Sequence, residues 1–202
     1  MSSPVMTSMC EIRKIIARRP AQMLSTLAGG EGELRGDAQV SGLFDDTRKI
    51  QPGDAYLCLP RAVEQASLFV QQAADAGAAC VICIAQGDAA QAIEDCGLPL
   101  LLLPDMQSLG ALLRRWFGTV ETQVRLFGVT GTDGKTSVTW MLREAMQRHL
   151  GKSWAVGTLG WVKEDGSFAD IGNTTPSLLS LHALLADAGE QGVVALCCEV
   201  SS

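Results

Sequence analysis

The sequence predicts an α/β protein with two domains, and two observations support this fold class. Short apolar runs of strand length alternate with segments of helix length along most of the chain. A glycine-rich turn at residues 128–134 also joins a predicted strand directly to a predicted helix. The chain has 202 residues, which is enough for one large or two small domains.

The N-terminal domain is predicted at residues 21–104, after a leader at 1–20. Its predicted elements are a strand at 55–59, a helix at 67–76, a strand at 80–84, a short helix around 89–95 and an apolar segment at 98–103. Gly77 is placed to end the first helix, because glycine readily adopts the left-handed conformation found there. This β–α–β pattern is typical of a small α/β domain.

The second domain is predicted at residues 105–202. Its predicted elements are a helix at 106–117, a strand at 124–130, a helix at 136–150, a strand at 154–158, a hairpin around 164–167, a helix at 176–188 and a strand at 193–200. The apolar strands are continuous and alternate with helices. They therefore predict a mostly parallel sheet with helices on both faces.

Composition and charge exclude several classes of protein. The chain has 16 Lys and Arg against 22 Asp and Glu, a net charge of -6, so we expect no general affinity for nucleic acid. No uncharged apolar run approaches the roughly 20 residues of a membrane span, and the N-terminus lacks the apolar core of a secretory signal. Seven irregularly placed cysteines indicate reduced thiols and a cytoplasmic protein without membrane insertion. Nothing in the sequence indicates whether the chain forms an oligomer.

Cys80 and Cys83 form a C-x-x-C pair inside an apolar run that predicts a buried strand. Positions i and i+3 of a strand point to opposite faces, so the two thiols cannot bind one metal ion together. We interpret both as core residues.

The glycine-rich turn has the sequence GVTGTDGKTS at residues 128–137. Its glycines permit positive φ, so consecutive backbone N–H groups can point at phosphate oxygens. The following helix directs the positive end of its dipole toward the same anion. Lys135 would balance phosphate charge, and the Thr136 hydroxyl would bind Mg²⁺. We therefore predict a mononucleotide site, although the general pattern G-x-x-x-x-G-K-[ST] has glycine where this chain has Val129.

The form T-G-T-x-G-K-T, which lacks that first glycine, resembles the loop of Mur ligases and folylpolyglutamate synthases. The resemblance implies that ATP and Mg²⁺ are the cofactors. It assigns ATP binding to Gly131, Thr132, Asp133, Gly134, Lys135, Thr136 and Ser137. Asp133 replaces the asparagine that is usual in the family, which adds negative charge beside the phosphates.

Three further segments, at residues 46–54, 173–176 and 198–202, resemble the D-S-R-x-V-x-P-G-D, N-T-T-P and E-V-S-S motifs of Mur ligases. The resemblance assigns Mg²⁺ to Glu199 together with Thr136. It assigns the UDP-sugar contacts to Asp45, Thr47, Asn173, Thr174, Thr175 and Ser201.

The residues themselves agree with two of these assignments. Thr175 before Pro176 predicts a helix N-cap followed by the residue favoured at the first helical position, which leaves N–H groups facing a ligand. Glu199 ends an apolar strand, and parallel strands present their carboxyl ends at the binding crevice.

The resemblance implies an ATP-dependent ligase of peptidoglycan precursor synthesis. Its members activate a substrate carboxylate as an acyl phosphate, which an amine then attacks to form an amide. The branch that this chain resembles adds the third peptide residue, diaminopimelate or lysine, to UDP-N-acetylmuramoyl-L-Ala-D-Glu. The implied catalytic residues are Lys135, Thr136 and Glu199. The family's C-terminal ligase domain is absent from residues 1–202, so we expect a fragment that is not active alone.

Two other functions remain open from the sequence. A folylpolyglutamate-type ligase shares the phosphate loop, but it gives no reason for the segment that begins Asp46-Thr47-Arg48. A non-catalytic module that binds a nucleotide or a UDP-sugar would keep the binding motifs without the reaction.

Overall fold

The computed structural model describes residues 14–16, 19–59, 63–84, 93, 96–169 and 175–201. Its residues divide into two compact units, the first being Ile16–Phe117 and the second running from Gly118 onward together with the described residues before Ile16. The helix at Met106–Phe117 therefore lies within the first compact unit. The domain boundary predicted after residue 104 stays a prediction. The leader at 1–20 falls mostly outside the described residues.

The first unit is built around a five-stranded sheet in the order β2-β7-β6-β5-β4. Strands β4 to β7 are parallel, and β2 joins the edge antiparallel to β7. The strands of this sheet are β2 (Glu33–Arg35), β4 (Gly42–Phe44), β5 (Asp54–Cys58), β6 (Cys80–Ile84) and β7 (Leu100–Leu103). A separate two-stranded sheet pairs β1 (Gln22–Met23) with β3 (Gln39–Val40). Every residue of β5 and β7 is buried, which explains the wholly apolar sequence of β7 and the apolar run that follows Asp54 in β5.

Among the elements whose bounds the structure describes, the helices that accompany this sheet are α1 (Leu24–Ala28), α2 (Val63–Asp75) and α3 (Met106–Phe117). The bounds of α3 are those predicted, because Asp105 caps its first turn. The Asp105 carboxylate accepts hydrogen bonds from the Ser108 N–H at 2.8 Å and the Ser108 hydroxyl at 2.9 Å, which lower the pKa of Asp105. The Arg115 guanidinium donates to the carbonyl oxygens of Leu27 and Ala28, both at 2.8 Å, and so attaches α3 to the last turn of α1.

Cys80 and Cys83 are both buried in β6, as predicted. Burial raises the pKa of the Cys80 thiol to about 12 and that of Cys83 to about 11, so neither thiol is a reactive thiolate at neutral pH.

The second unit contains a five-stranded sheet in the order β11-β10-β9-β12-β8. The strands are β8 (Arg125–Val129), β9 (Ser153–Gly157), β10 (Gly160–Val162), β11 (Phe168–Ala169) and β12 (Ala195–Glu199). β12 is parallel to both β8 and β9, which confirms the predicted parallel core. β10 and β11 form the predicted hairpin, but β10 also pairs antiparallel with β9. Thr158 and Leu159, the two residues between β9 and β10, are not typical of tight turns, although a glycine lies on each side of them at positions 157 and 160. The turn signal of this segment is therefore weak, and the sequence does not predict this second pairing.

Helix α4 (Lys135–His149) packs against β9 and β12, and α5 (Leu178–Glu190) follows the hairpin. Arg143 of α4 is 3% exposed. Its guanidinium donates to the Ser153 carbonyl oxygen at 3.2 Å and to the carbonyl oxygen of Lys163, and it also pairs with Glu144. This side chain therefore connects α4 to the start of β9 and to the turn after β10. No helix within the described ranges is long and apolar enough to cross a membrane.

Two buried tryptophans, one in β9 and one in β10, pack against each other. The rings of Trp154 and Trp161 meet edge to face with centroids 5.1 Å apart, and the Trp154 indole N–H donates to Glu164 Oε2 at 2.5 Å. This hydrogen bond is the main reason that the pKa of Glu164 lies below its ordinary value of 4.5. The turn after β10 is thus attached to the core of the second unit by a charged acceptor.

The lowered pKa of Glu164 predicts a pH dependence of stability. A depressed pKa in the folded state contributes stability above the ordinary value of 4.5, and this contribution is lost as the pH falls through the lower folded value. We expect the urea midpoint of the wild-type chain to fall more than that of Glu164→Gln between about pH 6 and pH 3. The same pH dependence of the urea midpoint in both chains would show that the hydrogen bond from Trp154 to Glu164 contributes no pH-dependent stability.

Candidate nucleotide site

The glycine-rich loop lies between the end of β8 and the start of α4, as predicted. Gly134 is the N-cap of α4 with φ 74°, and Gly131 has φ 146°, two conformations that strongly favour glycine. No side chain caps the first turn of α4 at Gly134. The free N–H groups of that turn and the positive end of the helix dipole can therefore bind an anion.

Lys135 is the first residue of α4, and its side chain folds back over the loop. Its ammonium group donates to the carbonyl oxygen of Gly131 at 2.7 Å and to that of Thr132 at 3.3 Å. An ammonium group has three protons, so one remains for a phosphate oxygen. Thr136 is half-buried next to it, while Thr132, Asp133 and Ser137 are exposed.

Glu199 lies at the end of β12, directly beside the strand that leads into the loop. It pairs in register with Val129, the last residue of β8, and the Val200 N–H donates to the Val129 carbonyl oxygen at 2.9 Å. Its side chain is 2% exposed and accepts hydrogen bonds from the N–H and the hydroxyl of Thr158. A carboxylate is thus held at the carboxyl end of the sheet, one strand away from the phosphate loop.

Two predicted UDP-sugar contacts meet in the second unit. The Ser201 N–H donates to the Thr175 hydroxyl oxygen at 2.8 Å, and the two hydroxyl oxygens lie 2.9 Å apart. The prediction that Thr175 caps α5 is wrong. The N-cap is Ser177, whose hydroxyl accepts from the Ser180 N–H at 3.2 Å, so Pro176 precedes the cap. Helix α5 begins at Leu178, so Thr175 lies too far before it to be the cap, and its hydroxyl is instead bonded to Ser201. Asn173 and Thr174 lie outside the described residues.

In the first unit, Asp45 and Thr47 lie directly after β4. Asp46 caps the single 3-10 turn Thr47–Lys49 and accepts hydrogen bonds from the Arg48 guanidinium at 2.9 and 2.8 Å. These bonds to Arg48 lower the pKa of Asp46. The Thr47 hydroxyl donates to Gln72 Oε1 of α2 at 3.1 Å, which leaves its oxygen able to accept a hydrogen bond from a ligand.

The sequence did not point to Gly157, Thr158 or Gln72, each of which contacts a predicted site residue. The available signal was weak, because Gly157 and Thr158 end a predicted strand without belonging to any motif. Their contact with Glu199 depends on the register of β9 and β12, which local sequence does not specify.

A phosphate loop after one parallel strand, with a buried carboxylate at the end of its neighbour, defines a nucleotide-binding α/β domain of the phosphate-loop class. Residues 129–202 match the Mur ligase middle domain. The chain belongs to the Mur ligase family.

Relatives named UDP-N-acetylmuramoyl-L-alanyl-D-glutamate--2,6-diaminopimelate ligase support this assignment. The protein of Alkalilimnicola ehrlichii is 36% identical over 173 residues, which cover 82% of this chain and 34% of that protein. The protein of Streptomyces avermitilis is 35% identical over 191 residues, covering 91% and 37% respectively. The chain therefore spans about a third of the length of the curated relatives it matches.

Solved structures confirm the fold. A structure of a UDP-N-acetylmuramoyl-L-alanyl-D-glutamate--2,6-diaminopimelate ligase superposes with a TM-score of 0.61 at 24% identity, covering 81% of this chain and 32% of that chain. A UDP-N-acetylmuramoylalanyl-D-glutamyl-2,6-diaminopimelate--D-alanyl-D-alanyl ligase from Acinetobacter baumannii gives 0.54 at 19% identity, covering 91% of this chain and 37% of that chain.

Proposed function

We propose that this chain forms the nucleotide-binding and UDP-sugar-binding part of an ATP-dependent ligase of peptidoglycan precursor synthesis. The ligase would join a carboxylate of UDP-N-acetylmuramoyl-L-Ala-D-Glu to an amine of diaminopimelate. The names of the relatives support this pair of substrates. The observation that carries the proposal is the register pairing of Glu199 with Val129, which places the residue that bears a buried carboxylate beside the strand end that leads into the phosphate loop.

The residues of the site fit a magnesium nucleotide. Glu199 supplies a carboxylate and Thr136 a hydroxyl, the hard oxygen ligands that Mg²⁺ prefers. No group of three or more His, Cys, Asp or Glu side chains suited to a metal ion occurs in the part of the chain that the structure describes. Few protein ligands, completed by phosphate oxygens and water, are the usual environment of Mg²⁺.

Each residue of the loop would contribute a separate effect. Bound Mg²⁺-ATP supplies the phosphoryl group that activates the carboxylate. The N–H groups at the start of α4 orient the phosphates, and the Lys135 ammonium balances their charge. The two hydrogen bonds from Lys135 to loop carbonyls hold the ammonium over the loop in advance. Glu199 holds the cation from the adjacent strand.

We propose two sets of UDP-sugar contacts, one set of polar side chains in each unit. Thr175 and Ser201 present two adjacent hydroxyl groups near the end of β12. Asp45 and Thr47 lie at the carboxyl end of β4, where ligands of parallel sheets bind. The six cysteines of the described residues are free thiols, which supports our proposal that the protein acts in the cytoplasm.

Thermal unfolding with UDP-N-acetylmuramoyl-L-Ala-D-Glu tests the proposal. A ligand at 100 times its dissociation constant stabilises the folded state by about 2.7 kcal/mol, so we expect a rise of several degrees. Thr47→Ala combined with Ser201→Ala should abolish the rise, because two contacts to the ligand are lost. Ser167→Ala, in the exposed turn between β10 and β11, is the matched control and should keep the rise.

A rise with a folate in place of the UDP-sugar would contradict the proposal and favour a folylpolyglutamate-type ligase. A rise with the UDP-sugar that survives the double substitution would show that the ligand binds elsewhere.

A further inference from the structure

Glu199 is a buried acidic side chain whose two carboxylate oxygens are both held by one residue. The Thr158 N–H donates to Oε1 at 3.2 Å, and the Thr158 hydroxyl donates to Oε2 at 3.0 Å. Thr158 follows directly after β9 and is 41 positions away from Glu199 in the sequence. Two donors from one residue fix the rotation of the carboxylate plane as well as its position.

The neighbouring residue, Gly157, provides the space for this carboxylate. β9 and β12 are parallel with Val156 opposite Cys198, so Gly157 lies level with Glu199. A Cβ atom built on Gly157 would overlap Oε1, Cδ and Cγ of Glu199. Gly157 is not among the glycines with positive φ, so it is needed for space and not for backbone conformation.

The two hydrogen bonds leave ligand capacity on the carboxylate. Each carboxylate oxygen has two lone-pair sites, and Thr158 uses one on each. The remaining sites can bind a cation. Side chains that orient a metal ligand typically change metal affinity 10- to 100-fold when they are replaced.

We propose that Gly157 and Thr158, which we call the carboxylate support, are positioning residues that orient Glu199 toward the divalent cation of the bound nucleotide. This inference rests on the proposed function, because it requires Glu199 to be a cation ligand. It adds that the geometry of the cation site is determined by β9 as well as by β8 and β12.

The test is the affinity of Mn²⁺ for the complete chain with ADP, measured from the electron paramagnetic resonance signal of free Mn²⁺. Mn²⁺ prefers the same oxygen ligands as Mg²⁺. Thr158→Val keeps the shape of the side chain and removes the hydroxyl donor, and we expect about tenfold weaker Mn²⁺ binding. Thr158→Ser restores the donor and should restore the affinity. Thr122→Val, which removes an exposed hydroxyl before β8, is the control and should bind as wild type.

The outcomes separate this inference from the proposed function. Wild-type Mn²⁺ affinity in Thr158→Val, together with weakened binding in Glu199→Gln, would overturn the carboxylate support and leave the proposed function intact. Weak binding in both Thr158→Val and Thr158→Ser would also overturn it, because the donor would not be the cause. Failure of the wild-type chain to bind Mn²⁺ with ADP, or wild-type binding by Glu199→Gln, would overturn both.

A second measurement requires neither a metal nor a variant at position 158. Thr158 and Leu159 form one exposed turn. The N–H of Thr158 donates to Glu199 Oε1. We expect slower hydrogen exchange at the Thr158 amide than at the Leu159 amide in the wild-type chain. This difference should disappear in Glu199→Ala, and equal exchange in the wild-type chain would overturn the inference.

Discussion

Lys135→Ala is expected to weaken the binding of Mg²⁺-ADP by about 10- to 100-fold while leaving the fold intact. Hydrogen bonds to charged groups contribute about 1.5–3 kcal/mol, and each 1.4 kcal/mol corresponds to a tenfold change in affinity. The variant loses the only ammonium group of the loop, which lies over the carbonyl oxygens of Gly131 and Thr132. Titration calorimetry with Mg²⁺-ADP measures the change.

Lys152→Ala is the matched control for this experiment. Lys152 precedes β9 at the opposite end of the strand from Thr158, and its ammonium lies 3.6 Å from Glu164 Oε1 on the surface. Exposed ion pairs of this kind contribute little, so we expect nucleotide affinity and stability close to wild type. Equal nucleotide affinity in the Lys135→Ala variant and the wild-type chain would mean that the loop is not the phosphate site.

Trp154→Ala is expected to lower the free energy of unfolding of the second unit by about 3–5 kcal/mol, the usual cost of removing a large buried aromatic side chain. Trp154 is completely buried, packs edge to face on Trp161 and donates to Glu164. The variant therefore loses a core side chain, an aromatic contact and a hydrogen bond to a carboxylate. Urea unfolding followed by circular dichroism measures the loss.

Phe168→Ala provides the comparison, because this ring in β11 is 72% exposed. Exposed substitutions usually change stability by less than about 0.5 kcal/mol, so its urea midpoint should remain close to wild type. Equal losses in the two variants would contradict the assignment of Trp154 to the core of the second unit.

Local sequence was sufficient to predict the bounds of elements whose ends carry a clear sequence signal. The bounds of α3 and of β6 are those predicted, since Asp105 caps α3 and apolar residues continue through the whole of β6. The short strands β2 and β3 were not predicted. β2 consists of three exposed residues, of which Glu33 and Arg35 are charged, and β3 has only two residues. Their pairing depends on tertiary contacts with other strands, which override local preference.

The same distinction applies to the site. Lys135 and Thr136 could be predicted from the spacing of one loop, and Glu199 from its place at a strand end. Ser177 and not Thr175 caps α5, because the helix begins at Leu178. The sequence has a suitable hydroxyl at both positions, so it does not distinguish between them. The bonds from Thr158 to Glu199 join two strands whose register the local sequence does not determine.

We propose that one chain holds separate sites for a magnesium nucleotide and for a UDP-muramoyl dipeptide. Titration calorimetry of both ligands, each added with and without saturating amounts of the other, tests this most directly. We expect one molecule of Mg²⁺-ADP and one of UDP-N-acetylmuramoyl-L-Ala-D-Glu to bind, and neither to displace the other. Displacement of Mg²⁺-ADP by the UDP-sugar, or binding of the nucleotide alone, would contradict the account.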